Sequence, residues 1–293
     1  MGGKEHLDER EKGGPSDDRK RELKRAVILA RGLGKRMRAP DAAAQIAGEQ
    51  VQAAEMGMKA MIPVIPVGRP FLDYVLSALA DAGVSQICLV VGPEHAAIRE
   101  HYSSVSPSRI EIDFAIQKEP LGTANAVLAA EPFVAGAPFL VLNSDNYYPV
   151  EVFRALRALG EPGAAAFERE SLVREGNIPE ERIRRYALLQ IDAAGYVAKI
   201  TEKPDEVSCA NAGQQVFVSM NCWRFDADIF RACAKVPRSV RGEFELPEAV
   251  QFGIDFLGMR IKAVPFRTGV LDLTHRSDIS AVAKGLGGIR VEL

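Results

Sequence analysis

A glycine-rich loop with adjacent cations follows the first apolar segment of this 293-residue chain. The apolar stretch AVILA, which ends at Ala30, predicts a short buried strand. Gly32 and Gly34 come next, and Lys35 and Arg36 follow them directly. Backbone N–H groups in such a loop are open to approach, and the cations stabilise negative charge, so the loop is a candidate polyphosphate site. An ordinary tight turn is the alternative for this segment taken alone.

A carboxylate stands just beyond a second apolar segment. Asp145 follows the strand-like sequence FLVL and the polar residues Asn143 and Ser144. Carboxylate oxygens are ligands that Mg²⁺ prefers, and the end of a strand keeps such a charge out of the core. Asp145 is therefore a candidate metal ligand, and its alternative role is an Asx turn at the exit of the strand.

Alternating strand and helix patterns position these residues. Strands are predicted at 26–30, 86–91, 110–116 and 139–142, and helices at 70–82, 94–101 and 122–131. This order predicts an α/β fold whose parallel sheet has helices on both faces. Sites in such sheets lie at the carboxyl ends of the strands. The glycine-rich loop and Asp145 are both expected at that edge.

The second half of the chain has a less regular pattern. Strands are predicted at 164–167, 187–191, 197–200, 216–223 and 259–266, and helices at 227–235 and around 247–252. Two stretches, 39–58 and 168–185, read as inserted loops, the first with a helix. No linker divides the halves, so we predict one domain over 26–293, with halves that meet near residue 150. Residues 1–25, charged and poor in apolar residues, are expected to form a flexible extension.

Composition excludes several classes of function. A formal net charge of −2 gives no overall basic field for nucleic acid. No apolar run approaches the length of a membrane span, and four cysteines without a CxxC pair favour reduced thiols and a cytoplasmic location. The four histidines lack the spacing of a zinc site. A dinucleotide-binding GxGxxG loop is excluded because Met37 stands where the third glycine is needed.

Four more segments give the glycine-rich loop a specific context. In chain order they are KAMIPV at 59–64, QKEPLGTA at 117–124, LNSDN at 142–146 and EKP at 202–204. With these motifs the chain, over about residues 26–278, resembles the sugar-1-phosphate nucleotidyltransferases, also called nucleotide-sugar pyrophosphorylases. The resemblance implies a GT-A-like, Rossmann-like fold: a mixed, mostly parallel sheet flanked by helices, with no left-handed β-helix domain.

The resemblance also implies a reaction and its residues. A nucleotidyl group passes from an NTP to a sugar-1-phosphate with Mg²⁺ as cofactor, giving an NDP-sugar and pyrophosphate. The implied catalytic residues are Arg36, Lys59 and Asp145. The implied nucleotide-binding residues, in the half up to about 150, are Ala30, Gly32, Gly34, Lys35, Gln117, Gly122 and Thr123. The implied sugar-phosphate-binding residues, in the half from about 151, are Tyr186, Glu202, Lys203 and Asn221. The implied metal ligands are Asp145 and Asp272, for one or two ions.

The identity of the substrates is less constrained. A side-chain amide can donate and accept in one plane, as a pyrimidine edge requires, so Gln117 favours UTP or dTTP. Lys35 stands where the family usually has Thr or Ser, and Ala187 where it often has Gly. A catalytically silent nucleotide-sugar-binding regulatory subunit and a transferase for a non-sugar phosphate are the alternatives. We expect neither nucleic acid nor membrane as a partner, and the sequence leaves the sugar and homo-oligomerisation open.

Overall fold

The computed structural model describes residues 22–41, 44, 46, 48–64, 68–202 and 216–293. The predicted extension therefore lies outside the described residues except for its last four. Leu23 is fully packed in the core and Arg25 begins the first strand. The packed part of the chain thus includes residues ahead of the predicted boundary at 26.

Four parallel strands form the part of the sheet that carries the glycine-rich loop. They are β1 (Arg25–Leu29), β2 (Gln86–Val91), β3 (Glu111–Ile116) and β4 (Phe139–Asn143), in the spatial order β4-β1-β2-β3. All pairs between neighbours are parallel. β1, β2 and β4 are almost continuously apolar because helices cover both faces of the sheet. The predicted parallel sheet is confirmed.

The same sheet continues into the second half of the chain. Its further strands are β6 (Gly163–Phe167), β7 (Leu188–Ile191), β8 (Val197–Thr201), β9 (Val216–Phe225) and β10 (Lys262–Phe266). The main path in the described part is β10-β6-β9-β4-β1-β2-β3, in which only β9 is reversed. β7 pairs with β8 and with β9, both antiparallel. The mixed, mostly parallel sheet is therefore as predicted.

Helices pack on both faces of the sheet. They are α1 (Lys35–Arg38), α2 (Glu49–Met56), α3 (Phe71–Asp81), α4 (Ala96–Ser104), α5 (Thr123–Ala129), α6 (Glu131–Val134), α7 (Val150–Ala158), α8 (Arg169–Glu175), α9 (Glu180–Ile183), α10 (Asp228–Lys235), α11 (Leu246–Leu257) and α12 (Asp278–Gly285), with a 3-10 helix at Lys59–Met61. Neighbouring residues of β1 face opposite sides, so Val27 and Ile28 belong to two different apolar clusters. Within the described ranges, no helix combines the length and apolar character needed to cross a bilayer.

A two-stranded ladder outside the main sheet joins distant parts of the chain. β5 (Asn146–Tyr147) pairs antiparallel with β11 (Leu271–Asp272), which places Asp272 opposite Asn146. The N–H of Leu273 also donates to the carbonyl oxygen of Asp145 at 2.8 Å. Two-residue strands have no periodic signal, so the sequence did not predict this ladder. It brings the two predicted metal ligands into one region.

Candidate active site

The larger of two adjoining cavities lies at the carboxyl ends of β1 and β4. Its volume is about 390 Å³. All predicted catalytic and nucleotide-binding residues line it: Ala30, Gly32, Gly34, Lys35, Arg36, Lys59, Gln117, Gly122, Thr123 and Asp145. The fold thus gathers four separate sequence segments at the sheet edge where α/β proteins bind ligands.

The glycine-rich loop rests directly on the segment that carries Lys59. Gly34 has φ +60°, and a Cβ atom at that position would lie 2.2 Å from the carbonyl oxygen of Gly57. Gly57 is two residues before Lys59, so this close backbone contact joins the loop to the Lys59 segment. Gly32 differs, because a Cβ there would have no atom within 4 Å.

Alanine is expected to destabilise the protein at Gly34 and to have little effect at Gly32. Gly34→Ala combines a left-handed backbone with a clash against Gly57, so we expect a loss of about 3 kcal/mol in the free energy of unfolding. Gly32→Ala meets open space and should change that free energy by less than about 1 kcal/mol. Chemical denaturation of both variants measures the difference. Equal stability of the two would show that the loop does not pack on Gly57 as described.

The smaller cavity adjoins the larger one and has a volume of about 150 Å³. The predicted residues Tyr186, Glu202, Asn221 and Asp272 line it. Lys203 lies outside the described residues. Ala187, which stands where the family often has Gly, also lines this cavity. The two cavities share three residues, Arg36, Asn143 and Asp145, so the arrangement is one site with two compartments and a charged junction.

A cation and an ion pair occupy this junction. The Nζ of Lys59 lies 2.8 Å from Oδ2 of Asp145, and both side chains are largely buried. The Arg36 guanidinium has no hydrogen-bond or ion-pair partner among the described residues, although Arg36 borders both cavities. An arginine without a protein partner keeps its planar fork available to phosphate oxygens.

Asp272 is buried and held by several donors. Its Oδ2 accepts hydrogen bonds from Asn146 Nδ2 at 3.1 Å and from Tyr186 Oη at 3.2 Å. Its Oδ1 accepts one from Arg182 at 3.0 Å. Desolvation and the nearby carboxylate of Asp145 raise the pKa of Asp272 above its usual range, against the opposing effect of Arg182.

The two carboxylates fit a divalent cation. Asp145 and Asp272 line one cavity and are close enough for the charge of one to disfavour ionisation of the other. A hard dication between them would remove this repulsion, and Mg²⁺ commonly takes one or two carboxylates together with substrate phosphates. No cluster of three or more acidic, His or Cys ligands occurs within the described ranges, so further ligands would come from substrate or water.

Arg182 was not predicted, yet it is central to this acidic region. It lies in α9, within the predicted loop at 168–185, and donates to Asp272 and, at 2.8 and 3.1 Å, to both oxygens of Asp278. Asp278 in turn accepts the backbone N–H groups of Thr274 and His275. The inserted segment therefore supplies one cation that is shared by two buried carboxylates, Asp272 in the wall of the smaller cavity and Asp278.

Removing the Arg182 side-chain charge should destabilise the protein. Arg182→Met leaves the buried carboxylates of Asp272 and Asp278 without their shared cation, and we expect a loss of about 3 kcal/mol in the free energy of unfolding. Arg184→Met is the matched control, because Arg184 directly follows α9 and pairs with the exposed Glu180. Denaturant titration at neutral pH measures both. A loss in Arg182→Met no larger than in the control would contradict this role.

Two polar residues of the site have specific local roles. Asn221 has φ +61° in the middle of β9, a conformation that Asn tolerates better than most residues. Its Oδ1 accepts from Trp223 Nε1 at 2.9 Å, and its Nδ2 reaches Oδ1 of Asn143 at 3.4 Å. Asn143 was not predicted as a site residue. Its position as a polar residue at the end of an apolar strand is the sequence signal that could have indicated it.

The segment around Gln117 is fixed by contacts to the start of α11. Gly122 has φ +109°, and a Cβ there would lie 2.5 Å from the carbonyl oxygen of Phe244. The Oγ1 of Thr123 accepts the N–H of Leu246 at 2.8 Å. Thr123 thus lines the cavity while its hydroxyl holds α11. The Gln117 amide donates within the protein, to the Gly122 carbonyl and to Asn125.

The fold and the site together define an α/β enzyme that handles phosphates at the ends of its strands. A sequence model of the nucleotidyl transferase family matches residues 54–255, more than half of the chain. The chain belongs to this family and is a nucleotidyltransferase.

Individual relatives agree with this assignment. The UTP–glucose-1-phosphate uridylyltransferase AglF of Haloferax volcanii is 28% identical over 254 residues, which cover 86% of this chain and 92% of AglF. A crystal structure of UDP-glucose pyrophosphorylase complexed with UDP-glucose has a TM-score of 0.68 at 18% identity, covering 89% and 97% of the two chains. An inositol-1-phosphate CTP transferase from T. maritima has a TM-score of 0.66 at 18% identity, covering 92% and 98%. At these identities the two structures establish a shared fold.

Proposed function

We propose that the protein transfers a nucleotidyl group from UTP or dTTP to a sugar-1-phosphate with Mg²⁺, giving an NDP-sugar and pyrophosphate. The observation that carries the proposal is the pair of cavities that share Arg36, Asn143 and Asp145. The larger compartment has the glycine-rich loop, which suits a triphosphate. The smaller has Glu202 and Asn221, whose side chains suit sugar hydroxyls. The relative AglF is named as a UTP–glucose-1-phosphate uridylyltransferase, which supports UTP and glucose-1-phosphate as first candidates.

The reaction needs charge and alignment more than a protein nucleophile. An oxygen of the sugar-1-phosphate forms a bond to the α-phosphorus of the NTP. The bond from that phosphorus to the oxygen bridging to the β-phosphate breaks, and pyrophosphate leaves. Negative charge on the phosphate oxygens is stabilised by cations. Arg36 at the junction would contact these oxygens, and Lys59 would hold Asp145 in place.

Asp145 and Asp272 are the residues that would hold Mg²⁺. When bound, the ion supplies positive charge at phosphate oxygens. Asn146 and Tyr186 orient Asp272 through their hydrogen bonds. Arg182 offsets part of its charge through Oδ1. These contacts keep the Asp272 carboxylate in one orientation before a ligand arrives.

A panel assay of pyrophosphate release tests the proposal. UTP, dTTP, CTP, ATP and GTP are each combined with glucose-1-phosphate, other sugar-1-phosphates, inositol-1-phosphate and phosphocholine, with Mg²⁺ or with EDTA. We expect Mg²⁺-dependent turnover with a uridine or thymidine nucleotide and a sugar-1-phosphate. Preference for inositol-1-phosphate or phosphocholine would favour the non-sugar alternative. Tight nucleotide-sugar binding by folded protein without turnover would favour the regulatory alternative, and both results contradict the proposal.

A further inference from the structure

Arg276 anchors the short helix that carries Arg36. Its Nε donates to the carbonyl oxygen of Met37 at 2.9 Å, and its Nη2 donates to that of Arg38 at 3.3 Å. Both carbonyls belong to the last turn of α1 (Lys35–Arg38), where the helix itself provides no partner. So short a helix is unstable in isolation, and its place in the protein therefore depends on tertiary contacts of this kind.

The other contacts of α1 lead to a different part of the site. The Nη2 of Arg38 donates to the carbonyl oxygen of Met56 at 3.1 Å. Gly34, at the start of the helix, is in close backbone contact with Gly57. Both contacts join α1 to the segment that carries Lys59.

Arg276 lies in a well-ordered turn between α12 and β11, the strand that carries Asp272. The side chain of Asp278 accepts the N–H groups of Thr274 and His275, and the N–H of Asp278 donates to the carbonyl oxygen of His275 at 3.1 Å. Among the described residues, the hydrogen bonds from this turn to α1 come from Arg276 alone. The Arg276 side chain therefore links α1 to the strand of Asp272.

The same turn lies within electrostatic reach of Arg36. Partial burial, together with the charges of Arg182 and Arg36, lowers the pKa of His275, and Asp278 opposes this shift. Arg276 itself lines neither of the two cavities, whereas Arg36 lines both. Any effect of Arg276 on a bound phosphate by direct contact is therefore ruled out by its place, and an effect through α1 is left.

We propose that Arg276 is a positioning residue, which holds α1 against the turn between β11 and α12 and so fixes Arg36 at the junction of the two cavities. Position matters here, because a misplacement of about 1 Å can cost about 10²-fold in rate. Without this link, α1 would be held only toward the Lys59 segment. The role of Arg276 rests on the proposed function, in which Arg36 contacts phosphate oxygens.

A double-mutant cycle with Arg36 tests this role. Calorimetry with Mg²⁺ measures the dissociation constant of inorganic tripolyphosphate, a probe without base or sugar, for the wild type, Arg276→Met, Arg36→Met and the double variant. We expect Arg36→Met to weaken binding by at least about tenfold, and Arg276→Met to weaken it by about fivefold. In the Arg36→Met background, Arg276→Met should weaken binding by less than about twofold, because the group that Arg276 positions is already absent.

Further variants separate positioning from loss of charge or of fold. Arg276→Lys keeps a cationic donor for the carbonyls at the end of α1, so it should bind tripolyphosphate within about twofold of the wild type. Arg290→Met is the matched control and should bind like the wild type, since the Arg290 side chain is 87% exposed and pairs with Glu292. Thermal unfolding checks the fold of each variant. If Arg276→Met does not fold, Arg276→Gln replaces it in the cycle, with an expected loss of about threefold that disappears in the Arg36→Met background.

Each result decides for or against this role of Arg276. Equal losses from Arg276→Met in both backgrounds overturn it, because Arg276 would then act by its own charge or through stability. Wild-type binding by either single Met variant overturns it, as does binding by Arg276→Lys that is no tighter than by Arg276→Met. A wild type that does not bind tripolyphosphate overturns both this role and the proposed triphosphate compartment. Binding is measured without turnover, so a protein that shows the coupling but transfers nothing fails the proposed function alone.

Discussion

Asp145→Asn is expected to lower the rate of nucleotidyl transfer by at least about 10³-fold while leaving the fold intact. Asparagine has almost the same shape, so the strand exit and the backbone bond to Leu273 remain. The lost charge is the one that pairs with Lys59 at 2.8 Å and that would hold the metal ion beside Asp272. Several kcal/mol of charge stabilisation depend on such a metal, which corresponds to a rate factor on the order of 10³.

Initial rates of pyrophosphate release measure the effect, and thermal unfolding checks the fold. Asp228→Asn is the matched control, since the Asp228 side chain is 72% exposed and pairs with Arg231 on the surface. It should retain the wild-type rate within about twofold. A rate within tenfold of wild type would remove Asp145 from the mechanism.

The buried strands were the most predictable part of the fold. Apolar runs such as the one at β2 (Gln86–Val91) have a single stable place, between two layers of helices, so their bounds follow closely from the sequence. The site residues that follow these strands could be placed from the sequence for the same reason. Arg36, Lys59 and Asp145 meet because the segments that carry them leave or approach one edge of the sheet.

Contacts made by irregular segments were not predictable. Arg182 looked like one of several surface charges in an inserted loop, and nothing in its neighbours along the chain indicates two buried carboxylates about 90 residues away. The β5–β11 ladder likewise has no signal in the sequence. Such partners depend on three-dimensional packing. The buried Asp272 carboxylate needs a nearby cation, and any segment that packs beside it can supply one.

Gln117 was only partly predictable from the sequence. The sequence identified the residue, and the structure places it in the predicted cavity, but the direction of its amide depends on Gly122 and Asn125. Residue type sets which hydrogen bonds an amide can make, and its neighbours decide which remain available to a ligand. The sequence therefore identifies the residue, while the direction of its amide follows from contacts that only the structure reveals.

Arg36→Met is expected to reduce kcat/KM by at least about 10²-fold, because Arg36 is the cation at the junction without a partner among the described residues. With no ion pair to break, the substitution should leave the unfolding temperature nearly unchanged, so lost activity would report on substrate chemistry. Arg231→Met, at an exposed surface ion pair, is the matched control and should retain activity.

Arg36→Lys separates charge from shape at the same position. A lysine keeps the positive charge but lacks the planar fork that binds two phosphate oxygens at once. If Arg36 contacts oxygens in the transition state, Arg36→Lys should recover only part of the lost kcat. Full recovery would mean that Arg36 acts through charge alone. A near-normal rate in Arg36→Met would mean that the junction cation is not used in the reaction, and phosphate charge would then depend on Lys59 and the metal site.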